Sequence, residues 1–163
     1  MSAKILEGIS SSIQKANFYT VMADESTDAS NKEQVVIVIC WVDKGLNVHE
    51  DFVRLHQVDN TNAETIAEKI TTSLSNMNLN VHQMRGQCYD GASVMSGLKT
   101  GVATRIQQLE YRAIYTHCYG HSLNLAAGDT IKNSTVMKKS LDITLEMSKL
   151  IKFSPKEMPY FRN

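Results

Sequence analysis

The chain has 163 residues, with 17 Lys+Arg against 17 Asp+Glu and a formal net charge of zero. That length suits one domain spanning 1–163, and folding would bury roughly 70% of the unfolded surface. A hydrophobic share of 42% and a charged share of 21% exclude a disordered chain, and the balanced charge gives no support for nonspecific attraction to nucleic acid.

Ile5, Ile9 and Ile13 fall four residues apart, which predicts an amphipathic helix over Met1–Lys15. Phe18–Ala23 is short and rich in β-formers. It predicts a strand ending at or near Asp24, with a polar turn from Asp24 to Glu33. Gln34–Val42, "QVVIVICWV", is almost wholly apolar and β-branched, the pattern of a strand covered on both faces. Asp43–Asn47 reads as a hairpin turn in which Gly45 can supply a positive φ. Val48–Val58 alternates and predicts a third strand antiparallel to the second.

Asp59–Asn62 offers caps for a helix over Ala63–Met77, where Ile66, Ile70 and Leu74 form the apolar stripe. Val81–Tyr89 reads as a fourth strand ending at Asp90. A helical region follows from Gly91 to about Leu109, weakened in its first half by Gly97 and Gly101. Ala113–Cys118 reads as a fifth strand. Helices are expected at Gly120–Ile131 and Ser134–Phe153, the second stopped by Ser154–Pro155.

The order α-β-β-β-α-β-α-β-α-α implies a mixed sheet, with three antiparallel strands followed by βαβαβ units and helices on both faces. Right-handed crossovers would bring the fourth and fifth strands beside the first. Cys40, Cys88 and Cys118 are an odd, sparse set that fits a reducing compartment. Neither a signal peptide nor a run of ~20 apolar residues is present.

In this arrangement Asp24 and Asp90 end neighbouring strands. Two carboxylates so placed suit Mg²⁺ or Mn²⁺. The alternative is that Asp24 caps a turn and Asp90 caps the following helix, and spacing leaves both open. Glu25 and Asp28 read as turn and loop residues. Cys118 and His121 have C-x-x-H spacing, half of a four-ligand zinc site. His121 falls in the first turn of a helix, where it either packs at the strand–helix junction or faces the acidic site. Met137-Lys138-Lys139 reads as a solvated helix segment, and Glu146 as a helical carboxylate without a strand-end context.

Three blocks in order, "FYTVMADESTDASNKEQVVIVICWVD", "GQCYDGASVMSG" and "HCYGHSLNLA", resemble the hAT superfamily of DNA transposases and the host proteins derived from them, such as the zinc finger MYM-type proteins. The resemblance covers nearly the whole chain. It implies an RNase H-like fold and metal-dependent cleavage and transfer of DNA strands by the full-length ancestor. It makes Asp24 and Asp90 the first two acidic residues of the catalytic set, and places Cys118 and His121 on a motif that supports the site and the DNA end. The third acidic residue of the family, a Glu, lies beyond a helical insertion after the fifth strand, so this chain is expected to be inactive alone. An N-terminal zinc finger and a dimerisation segment are expected outside it. The resemblance implies DNA as partner, oligomer or protein contacts through those regions, no membrane, and a nuclear location. The alternative is a domesticated, non-catalytic protein-interaction or chromatin-associated domain. For a fragment, exposed apolar surface is expected on the last helix.

Overall fold

A computed structural model describes residues 3–28 and 30–153. In chain order these form α1 (Ala3–Gln14), β1 (Tyr19–Thr27), β2 (Glu33–Val42), β3 (Val48–Gln57), α2 (Ala63–Asn76), a 3₁₀ turn (Val81–Gln83), β4 (Met84–Tyr89), α3 (Ser93–Ser96), α4 (Val102–Leu109), β5 (Ile114–His117), α5 (Tyr119–Lys132) and α6 (Thr135–Phe153). The contacts divide the chain into two units, Met1–His121 and Ser122–Asn163, where the sequence suggests one domain.

The first unit is built on a five-stranded sheet in the order β3-β2-β1-β4-β5. The β1–β2 and β2–β3 pairs are antiparallel, and β1–β4 and β4–β5 are parallel. Side chains alternate across a strand. Tyr19, Val21 and Ala23 of β1, with Val35, Ile37 and Ile39 of β2, therefore share one buried face. Ile13 of α1, Ile66, Ile70 and Leu74 of α2, and Val102 and Ile106 of α4 pack on that face in a single cluster. Each buried Ile contributes about 1.5–3 kcal/mol of transfer free energy. The other face carries Met22, Val36 and Val38, which are half-buried, and the more open Phe52 and Leu55. These three helices do not cover it. Asn62 caps α2 by accepting from Thr65 N at 2.8 Å, as its cap position predicts.

Three local expectations are corrected. β1 does not end at Asp24 but continues to Thr27, because Asp24, Glu25, Ser26 and Thr27 pair with Val36, Val35, Gln34 and Glu33 of β2. The expected helix over 91–109 breaks into α3 and α4. Gly97 and Gly101 approach so closely that a Cβ on Gly101 would lie 2.4 Å from Gly97 N and 2.6 Å from Gly97 O. In the β2–β3 turn the positive φ, 64°, belongs to Leu46 and not to Gly45. Asp43 Oδ1 accepts from both Gly45 N and Asn47 N there and fixes the turn.

In the second unit α5 and α6 leave Leu123, Leu125, Val136, Leu141, Leu145 and Leu150 exposed. Glu146 pairs with Lys149 at 3.0 Å. Ser154 and Pro155, expected to stop α6, lie outside the described residues.

Candidate functional site

The site follows from where the β1 ladders stop. Toward β2 the ladder runs the full strand, but toward β4 it ends at the pair Met22↔Cys88. Asp24 and Asp90 each lie two residues beyond that pair. Period-two alternation therefore gives them the same face. Both line a depression of about 110 Å³ with Met22, Val36, Cys88, Cys118 and His121. The four residues singled out from the sequence, Asp24, Asp90, Cys118 and His121, are thus brought together. The apolar floor comes from the face of the sheet opposite α1, α2 and α4.

Each side chain is held differently. Asp24 projects from the paired interior of β1, not from a strand tip, and its side chain is 54% exposed. His121 Nε2 lies 3.9 Å from Asp24 Oδ1. Asp90 sits in the turn after β4, where its Oδ1 accepts from Ala92 N at 3.2 Å. That is an Asx-type turn. The cap of α3 is Ala92, so Asp90 is not the helix cap. Tyr115 Oη donates to Asp90 O at 2.9 Å, and Ser96 Oγ donates to Gly91 O at 3.0 Å. The His117 ring packs so closely on Gly91 that a Cβ there would lie 2.8 Å from Cε1. Tyr115 and His117 are thus the residues of the site that sequence reasoning missed. Their shared parity on β5 was visible, but the turn they touch was not.

Cys118 N donates to Tyr89 O at 2.8 Å, which continues the β4–β5 pairing by one step. Its thiol is hydrogen-bonded to the His121 imidazole, which holds the thiol below its ordinary range. Cys118, and then the negative charges of Asp24 and Asp90, push His121 up, against a smaller lowering by burial. Burial pushes the Cys88 thiol up, with the neighbouring Cys118 thiol adding to it. Glu25, expected in a turn, is a strand residue. Burial, then the charges of Asp90, Glu33 and Asp24, raise its carboxyl. Asp28 is a turn residue as expected, accepting from Ser30 N and Lys32 N.

Asp24 and Asp90 are the pair able to offer oxygens to a hard divalent cation. Among the described residues no group of three or more His, Cys, Asp or Glu side chains is placed to hold a metal ion. Within this set the two carboxylates supply the hard oxygen donors, and Cys118 and His121 the softer sulfur and nitrogen. No helix among the described residues is long and apolar enough to cross a membrane.

A mixed sheet with this strand order, carrying two acidic residues past the ladder of its central parallel pair, defines an RNase H-like domain. Residues 1–101 match DUF4371, described as the ZMYM1/FAM200 RNase-like domain, and the chain belongs to that family. Among curated proteins it is similar to the human protein named 52 kDa repressor of the inhibitor of the protein kinase, 28% identical over 114 residues and 69% of this chain. The mouse protein of that name is 28% identical over 113 residues, also 69% of this chain. The chain spans about 15% of the length of either relative. Of solved structures, YeaZ from Pseudomonas aeruginosa overlaps 62% of this chain and 43% of its own, at 12% identity and a TM-score of 0.35. Ciona intestinalis endonuclease V, solved with a 23-mer DNA, overlaps 70% of this chain and 54% of its own, at 14% identity and a TM-score of 0.34. Those overlaps are too slight to bear on function.

Proposed function

We propose that the chain is part of a hAT-type transposase catalytic core, in which Asp24 and Asp90 are the first two carboxylates of a Mg²⁺ or Mn²⁺ site. The observation that carries this reading is their matched position past the β1–β4 ladder, facing one depression. A bound divalent ion supplies water activation and charge neutralisation at a phosphodiester. Asp24 and Asp90 would hold it through their carboxylate oxygens, and His121, beside Asp24, would offer a donor to a phosphate. Cys118 would steady the imidazole through its thiol. DNA is the partner and the nucleus the working compartment of the full protein. Among the described residues the pair has no third ligand beside it, and this chain alone is expected to bind metal weakly and not to cut DNA.

Calorimetry with MnCl₂ tests the site. Weak heat is expected, lost in Asp24→Asn and in Asp90→Asn. Absence of heat at millimolar metal would remove the site, and DNA nicking that disappears in Asp24→Ala would overturn the predicted inactivity.

A second reading, a domesticated non-catalytic interaction or chromatin-associated domain, is favoured by the repressor name of the relatives. Full-length protein separates the two. A catalytic lineage nicks DNA with Mn²⁺ in an Asp24-dependent way, and a domesticated one does not.

A further inference from the structure

We propose that Cys88 and Cys118 form a dithiol pair that oxidises to an intramolecular disulfide, making the depression beside Asp90 a site of reversible thiol modification. The backbone brings the two together. Cys88 pairs with Thr116 across the β4–β5 ladder, and Cys118 N donates to Tyr89 O one step further on. Both side chains line the same depression of about 110 Å³. On the face they share, Cys118 lies two positions beyond Thr116, the register partner of Cys88. Cys40, in contrast, pairs with Thr20 of β1, which pairs with Gly86 of β4, so a whole strand separates it from Cys88. None of the three cysteines is in a disulfide.

The chemistry takes hydrogen peroxide as oxidant. The Cys118 sulfur, with His121 beside it, attacks the peroxide. An S–O bond forms, the O–O bond breaks, and one water leaves. The Cys88 sulfur then attacks the sulfenic sulfur. The S–S bond forms, the S–O bond breaks, and the second water leaves. Two thiols lose two electrons and the peroxide gains them. The product ties the end of β4 to the start of α5, the two segments that carry Asp90 and His121. Formation of this bond does not depend on metal binding at Asp24 and Asp90.

The test is peptide mapping of the whole chain after graded hydrogen peroxide and alkylation by iodoacetamide. Trypsin releases the three cysteines on separate peptides, Glu33–Lys44, Gly86–Lys99 and Ala113–Lys132. The expected product joins Gly86–Lys99 to Ala113–Lys132, leaves Cys40 alkylated, and is lost on treatment with dithiothreitol. Cys40→Ala gives the same cross-link, and so does Asp24→Asn, which keeps this result separate from the fate of the metal site. Over-oxidation of Cys118 without a cross-link would overturn the proposal, as would a bond to Cys40 or bonds only between chains.

Discussion

Replacing Gly91 by alanine tests how firmly the turn after β4 holds Asp90. A Cβ at position 91 would lie 2.8 Å from Cε1 and 3.0 Å from Nε2 of the His117 ring. Ordinary contact between carbons begins near 3.5 Å, so the ring or the turn must move by about 0.7 Å. Neither moves freely. His117 Nε2 is buried and makes no hydrogen bond, and the turn is held from both sides by Tyr115 Oη and Ser96 Oγ. No glycine among the described residues has a positive φ, so the backbone adds no strain and the cost is steric. Overpacking of this kind costs about 1–3 kcal/mol, or roughly 2–4 °C of melting temperature per kcal/mol for a chain of this size. Urea unfolding of Gly91→Ala, His117→Ala and the double variant measures it as a cycle. The expected coupling is at least about 1 kcal/mol, since removing the ring removes the clash. A Gly91→Ala cost within about 0.5 kcal/mol of zero, or an unchanged cost in the His117→Ala background, would refute the reasoning.

Gly101→Ala is expected to cost more, about 3 kcal/mol, because its Cβ meets backbone N and O of Gly97, and no side-chain substitution relieves that. Full recovery of stability in any side-chain background would contradict it. His56 gives a pH signature. Burial, then Arg54 and Lys69, hold its imidazole below the ordinary histidine value. The unfolded chain takes up a proton near pH ~6.5 that the folded chain resists. This contribution to stability is therefore full above that pH and is lost as pH falls through the folded value. Urea midpoints measured from about pH 8 to 5 should decline less steeply in His56→Gln, and equal slopes would exclude His56 as the cause.

The parts of this fold that could be read from the sequence are those where local pattern and tertiary role agree. The β-branched run of β2, the alternation in β3 and the capped stripe of α2 each have one stable solution. The exit from β1 misled because Asp24–Thr27 has turn chemistry. The segment stays extended because β2 offers a full set of partners along it, and pairing outweighs the low strand propensity of Asp. The break between α3 and α4 depends on two glycine backbones meeting, a contact that composition marks only as weak helix. At the site, the convergence of Asp24, Asp90, Cys118 and His121 was legible through three motif blocks in order. Spacing alone left the capping alternative open. The roles of Tyr115 and His117 depend on which turn they reach, and nothing in a four-residue strand announces that.

The unequal ladders of β1 give the two carboxylates different mechanical mountings. Asp24 hangs from a strand joined to β2 along its whole length, so it is released only when the central sheet opens, at close to the full unfolding free energy. Asp90 rides on a short turn that two side-chain hydroxyls hold in place, and such a turn opens locally at much lower cost. The two carboxylates that line one depression are therefore mounted unequally, one on the frame of the sheet and one on the turn beside it. A change in their separation falls first to the residues that follow β4.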